Sequence, residues 1–184
     1  MNQAVGHIEI FPDPLTLARY VAEWMTAAAL AANGPFRVSL SGGSTPKTLY
    51  GLLASDEFKG RFPWPRVSWY WGDERFVPYD HPDSNYRMTR EAMLDKVPVP
   101  PENVHPVPVD GTPEGAALRY EQILQRAYGA ATLDPARPFF DLTLLGLGPD
   151  GHTASLLPGE PVLEERARWV EAASHGRPEI RLTM

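Results

Sequence analysis

Hydrophobic and polar positions along the chain switch between a two-residue and a three-to-four-residue repeat. Each switch marks a predicted element. Residues 7–11 (HIEIF) alternate and predict a short strand. Asp13-Pro14 then reads as an N-cap with proline in the first helical turn. Leu17, Val21, Trp24 and Ala28 follow on one helix face, and Asn33-Gly34 ends that helix. FRVSL at 36–40 predicts a strand, SGGSTP a loop, and Pro46 opens a second helix that runs to about Leu53.

The alternation repeats. VSWYW (67–71) predicts a strand, GDERFVPYDHPD a loop, and Ser84 to Val97 a helix. After the proline-rich VPVPPENVHPVPVDG, Thr112-Pro113 begins a helix whose face is Ala117, Tyr120, Leu124 and Ala127. FDLTLL (140–145) predicts a buried strand. GLGPDGHTASLLPG is a loop with a helical turn expected after His152, WVEAA (169–173) a strand, and IRLTM the start of another. Strands alternating with helices imply an α/β fold: a mainly parallel sheet with helices on both faces, in one domain spanning 1–184. Such sheets bind ligands at the carboxyl ends of their strands. Three loops leave those ends: SGGSTP, GDERF and GLGPDGH.

Composition narrows the chemistry. Of the 184 residues, 23 are acidic and 17 basic, giving a net charge of −6. No basic run suggests a nucleic-acid partner. An acidic surface repels anions at long range, so an anionic ligand needs a local cluster of donors. There is no cysteine, which excludes disulfides, thiolate metal sites and cysteine nucleophiles. No apolar run approaches the ~20 residues of a membrane span. The N-terminus shows no secretory pattern, and the expected compartment is the cytoplasm.

Each loop offers a different function. Gly42 and Gly43 let the backbone approach an anion closely. Ser44 and Thr45 add hydroxyls, and the following helix start adds partial positive charge. A phosphate suits this loop, as does a plain helix cap; neither the P-loop nor the nucleophile-elbow spacing is present. Asp73, Glu74 and Arg75 follow an aromatic strand, where successive side chains point to opposite faces, so one could meet a ligand while another holds the loop. Arg87 is a further cation near that edge. Gly146, Gly148 and Gly151 build a close-packed loop that delivers Asp150 and His152. An imidazole is suited to proton transfer near neutral pH, and a nearby carboxylate can fix its tautomer. The other histidines (7, 81, 105 and 175) show no paired spacing, so no metal is expected.

Three stretches, VSLSGGSTPKTLYGLL, WYWGDERFVPYDHPDSNYRM and LLGLGPDGHTASLLPG, together resemble the 6-phosphogluconolactonase family, in its order and over nearly the whole chain. The wider superfamily includes glucosamine-6-phosphate deaminases, whose DGHIAFNEPG motif carries a glutamate where this chain has Leu157. Leucine cannot orient or charge an imidazole, which argues for lactone hydrolysis. The resemblance implies a Rossmann-like, sugar-phosphate isomerase/deaminase-like fold. It also implies hydrolysis of 6-phospho-D-glucono-1,5-lactone to 6-phosphogluconate in the oxidative pentose phosphate route, with no cofactor. Gly42, Gly43, Ser44, Thr45, Arg75, Arg87 and Arg181 would hold the phosphate. His152 would be general base on water, with Asp73 or Asp150 orienting water or imidazole. Family members run further at the C-terminus and include a phosphate-binding lysine that has no counterpart here. The chain is therefore expected to lack the last elements and to self-associate through the unfinished edge, with a phosphosugar lactone as partner and neither nucleic acid nor membrane. A deaminase-like enzyme and a non-catalytic phosphosugar-binding protein are the alternatives.

Overall fold

The side chain of Asp13 accepts from the backbone N–H of Thr16 (2.8 Å), and Pro14 fills the first position of helix α1 (Pro14–Ala31). In this computed structural model, residues 6–174 and 178–184 are described. After α1 come β1 (Phe36–Leu40), α2 (Ser44–Leu53), β2 (Val67–Trp71), β3 (Asp73–Arg75), α3 (Asn85–Ala92), β4 (Val104–His105), α4 (Pro113–Tyr128), β5 (Leu142–Thr143), β6 (Glu171–Ala173) and β7 (Arg181–Thr183). A parallel sheet in the order β4-β2-β1-β5 is flanked by helices, and a smaller antiparallel sheet has the order β3-β7-β6.

β1 and β2 pair in parallel over their full length, from Phe36 against Val67 to Leu40 against Trp71. Both are almost wholly buried, as expected for the inner strands of such a sheet. Trp69 and Trp71 from β2 join Phe58, Phe62 and Trp64 in the core. Each inner strand ends at a buried tyrosine. The Tyr50 hydroxyl, from α2, accepts from Ser41 N–H (3.1 Å) and donates to Ser41 C=O (2.7 Å). The Tyr120 hydroxyl, from α4, does the same for Trp71 (2.9 and 3.1 Å). Burial pushes both phenols well above the usual tyrosine range, so they remain donors in alkaline solution.

Several expectations are corrected. Residues 7–11 form no strand; Ile8 and Ile10 are exposed, and no described strand pairs with them. The buried face of α1 is Ala18, Ala22, Met25 and Ala29, one position on from the expected one. Alanines let α1 approach α2 closely, and Trp24 is left half exposed. The helix expected to reach Val97 ends at Ala92, because Met93 leaves helical geometry and turns into the core. Residues 140–145 give only the two-residue β5, bonded to β1 alone, with Leu145 exposed. The helical turn after His152 is instead a tight turn closed by a Thr153–Leu156 bridge. Asp73–Arg75, taken as loop, is a strand, and it pairs antiparallel with β7.

Candidate active site

The carboxyl ends of β1, β2 and β5 open onto one hollow of about 310 Å³. Residues from all three loops line it: Ser41 to Pro46, Asp73 and Arg75, and Gly146 to Gly148 with His152 and Ala154. Asn85 and Arg181 also line it.

The SGGSTP loop contributes main-chain donors. The helices α1, α3 and α4 are each capped by a side chain, that of Asp13, Ser84 or Thr112. α2 is not: its N-cap, Gly43, makes no side-chain bond. Gly43 sits at φ +107°, a region L side chains rarely adopt. The first N–H groups of α2 therefore face the hollow without a side-chain acceptor, the usual setting for an anion. A Cβ on Gly42 would overlap the Asn85 amide, so glycine is required for the loop to lie this close to α3.

The alternation of β3 separates its three charged side chains. Glu74 is buried and accepts from Arg75 N–H (2.8 Å), Asn85 N–H (2.7 Å), Tyr86 N–H (2.8 Å) and Ser84 Oγ (3.1 Å). It anchors the start of α3. Burial raises its pKa above the usual carboxylate value, and the four donors act against that rise. Asp73 and Arg75 point to the hollow instead. Ser155 Oγ donates to Asp73 Oδ2 (2.7 Å), and Asn85 Nδ2 donates to the Asp73 carbonyl (3.0 Å). Arg75 donates from Nη1 to the Asp83 carbonyl (2.6 Å). In the register of β3 and β7, Arg75 stands directly opposite Arg181, and Asp73 opposite Thr183. Two guanidinium groups thus share one side of the site.

His152 comes from the glycine-built loop. Gly148 N–H donates to the His152 carbonyl (2.8 Å), Gly151 N–H donates to the Gly148 carbonyl (3.0 Å), and Gly151 takes φ +87°. Nδ1 of His152 is hydrogen-bonded to Asp150 Oδ1. That bond holds the Asp150 carboxyl below the usual aspartate range. The imidazole lies on Gly148, where a Cβ would overlap it.

Gly42, Gly43, Ser44, Thr45, Asp73, Arg75, Arg181 and His152 thus meet at one hollow, with Asp150 behind the imidazole. Arg87 is not brought there: it binds Glu91 through Nε (2.7 Å) and the Asp80 carbonyl through Nη1 (2.7 Å). Its place at the start of the helix near that edge suggested otherwise, but a helical side chain finds its partner four residues on. Asn85 and Ser155 were not anticipated. Asn85 follows the N-cap directly, and nothing in the sequence marks Ser155 as inward-facing. Among the described residues, no group of three His, Asp or Glu side chains is placed to hold a metal ion, and no helix is long and apolar enough to cross a membrane. His175 lies outside the described residues.

The profile of the family described as "Glucosamine-6-phosphate isomerases/6-phosphogluconolactonase" matches residues 12–184. A 6-phosphogluconolactonase from Nostoc sp. is 42% identical over 96% of this chain and 73% of its own length. One from Synechocystis sp. is 44% identical over 85% of this chain and 63% of its own. Among solved structures, 6-phosphogluconolactonase from Trypanosoma cruzi superposes with a TM-score of 0.80 at 31% identity, covering 95% of this chain and 73% of that one. A monomeric glucosamine-6-phosphate deaminase shares the fold, with a TM-score of 0.73 at 19% identity over 94% of this chain and 73% of that one.

Proposed function

The chain belongs to the glucosamine-6-phosphate isomerase/6-phosphogluconolactonase family, and on that premise we propose that it hydrolyses 6-phospho-D-glucono-1,5-lactone to 6-phosphogluconate. One observation carries the reading. The uncapped start of α2 and the Arg75–Arg181 pair line the same hollow as His152. That arrangement provides an anion grip and a proton acceptor for one small molecule.

In this reading the phosphate sits against the N–H groups of Gly42 to Thr45, between the two arginines. Its binding energy positions the remote lactone carbonyl. With Nδ1–H given to Asp150, Nε2 of His152 carries the lone pair and takes a proton from water as the water oxygen bonds to the carbonyl carbon. Asp73 orients that water. The tetrahedral adduct collapses by breaking the bond to the ring oxygen, which receives the proton from His152. The lactone and one water become a carboxylic acid and an alcohol. Arg87 takes no part, and no cofactor enters the reaction. Leu157, which stands where the deaminases carry a glutamate, is buried, so no carboxylate supports the imidazole from that position. A charged phosphosugar does not cross a bilayer unaided, so enzyme and substrate share one compartment, for which the cytoplasm is our proposal.

The test is turnover of freshly prepared lactone, corrected for spontaneous hydrolysis. General-base catalysis contributes typically 10²–10⁴-fold, so His152→Ala should lower kcat by about that factor. Near-normal turnover in the variant refutes the role of His152. Ammonia release from glucosamine 6-phosphate, or binding of 6-phosphogluconate without any turnover, refutes the lactonase reading.

A further inference from the structure

We propose that Ser155 is a positioning residue of this site, acting through Asp73. The proposal rests on the reading of Asp73 as part of the lactonase machinery. Ser155 is fully buried, although it lies in a loop. Its hydroxyl donates to Asp73 Oδ2 at 2.7 Å, joining segments 82 residues apart. A serine hydroxyl has one proton to give, and here it goes to the carboxylate. The backbone of Asp73 is held separately, by Asn85 Nδ2 at its carbonyl. The Ser155 bond is therefore the contact that sets the rotation of the carboxylate. With Oδ2 engaged, Oδ1 is the oxygen left to meet a water in the hollow.

Two features show how Ser155 is directed inward. Ala154, immediately before it, has φ +50°, the one positive value at a non-glycine among the described residues. Such backbone strain persists where surrounding contacts over-determine it, and it clusters at functional sites. Ser155 N–H also meets Thr183 Oγ1 at 3.3 Å, and Thr183 is the cross-strand neighbour of Asp73. Main chain and side chain of Ser155 thus both dock on the β3–β7 pair. Because His152 lies three residues earlier, immediately before this tight turn, one serine fixes the imidazole-bearing loop relative to the carboxylate.

A mutant cycle on lactone turnover tests this, with wild type, Ser155→Ala, Asp73→Asn and the double variant compared for kcat and KM and by thermal unfolding. A misplacement of about 1 Å can cost about 10²-fold in rate, so partial loss of orientation in Ser155→Ala should lower kcat roughly 10-fold. KM should stay nearly constant, because the phosphate grip is untouched. The double variant should be no slower than Asp73→Asn, since Ser155 has nothing left to orient. Multiplying effects would overturn the proposal, because a merely structural serine lowers activity on either background. Unchanged kcat in a folded Ser155→Ala would also overturn it. Should Ser155→Ala fail to fold, Ser155→Cys replaces it in the cycle: its weaker donor should give an intermediate kcat, and wild-type kcat would overturn the proposal. Wild-type turnover in Asp73→Asn would remove Asp73 from the mechanism and this proposal with it, while the His152→Ala result judges the lactonase reading by itself.

Discussion

Replacing Tyr50 with phenylalanine removes one oxygen and isolates two backbone groups. The hydroxyl both accepts from and donates to Ser41, and Tyr50 is fully buried. Phenylalanine fits the same space, so packing is retained and no cavity forms. The loss is confined to an unpaired N–H and an unpaired C=O at the end of β1. Each buried group left unsatisfied costs about 1–3 kcal/mol, which puts the combined loss near 3 kcal/mol, water being largely excluded. For a domain of this size each kcal/mol lowers Tm by about 2–4 °C, so the variant should melt roughly 6–12 °C lower. A second effect should appear in kinetics. Ser41 lines the hollow and leads directly into the loop proposed to hold the phosphate. Loosening it should raise KM several-fold while kcat changes less, because the grip is used alike in ground and transition states. Circular dichroism melts and initial-rate lactonase assays on the two proteins suffice. A Tm within about 2 °C of wild type would correspond to less than about 1 kcal/mol, and it would refute the claim that the hydroxyl satisfies both groups.

Gly148→Ala should act on the His152–Asp150 pair: a Cβ there overlaps the imidazole and crowds the Asp150 carboxylate, so kcat should fall by at least about 10-fold while phosphate affinity is kept, and an unaltered kcat would show that the loop accommodates the methyl group. His105 stacks on Tyr70 with ring centroids 4.5 Å apart, and burial lowers its pKa below the usual 6.5. The unfolded chain then takes up a proton that the folded one refuses, so stability should be full above about pH 6.5 and decline as pH falls toward the folded value. Urea midpoints at pH 7 and pH 5 measure this, and His105→Phe should lessen the drop; an equal drop in the variant refutes the assignment. Leu145 and Leu147 stand exposed beyond the open edge of β5. The C-terminal strand β7, expected to offer the unfinished edge, is instead buried between β3 and β6. Self-association through Leu145 and Leu147 should show in sedimentation velocity as a concentration-dependent shift that Leu145→Ser/Leu147→Ser abolishes, and the same shift in both proteins places the contact elsewhere.

Local signals carried a good part of the structure. The caps Asp13 and Thr112 work through their own side chains and the next three residues, so they are visible in a short window. β1 (FRVSL) and β2 (VSWYW) are short, β-prone, mostly apolar segments between turn residues, and their loops end up where a parallel sheet presents its ligands. What was hidden depends on partners far along the chain. HIEIF alternates as a strand should, but alternation gives no pairing without a neighbour. FDLTLL reads the same whether central or at an edge. The three-residue strands β3 and β7 are too short for any period to show, so their antiparallel pairing was not foreseen. α1 turned by one position because small residues, and not the largest apolar ones, set its approach to α2. Of the candidate side chains, Arg87 was misplaced by a carboxylate four residues on, and Ser155 was overlooked because its partner lies 82 residues away.

The antiparallel register sets Arg75 face to face with Arg181. Like charges directly opposite on paired strands weaken the pairing. A dianion seated between them would turn the repulsion into two attractions, so the ligand would itself act as a clasp for the small sheet. The protein would be stiffest in mid-reaction and loosest at rest, and letting the product go would mean accepting the repulsion again.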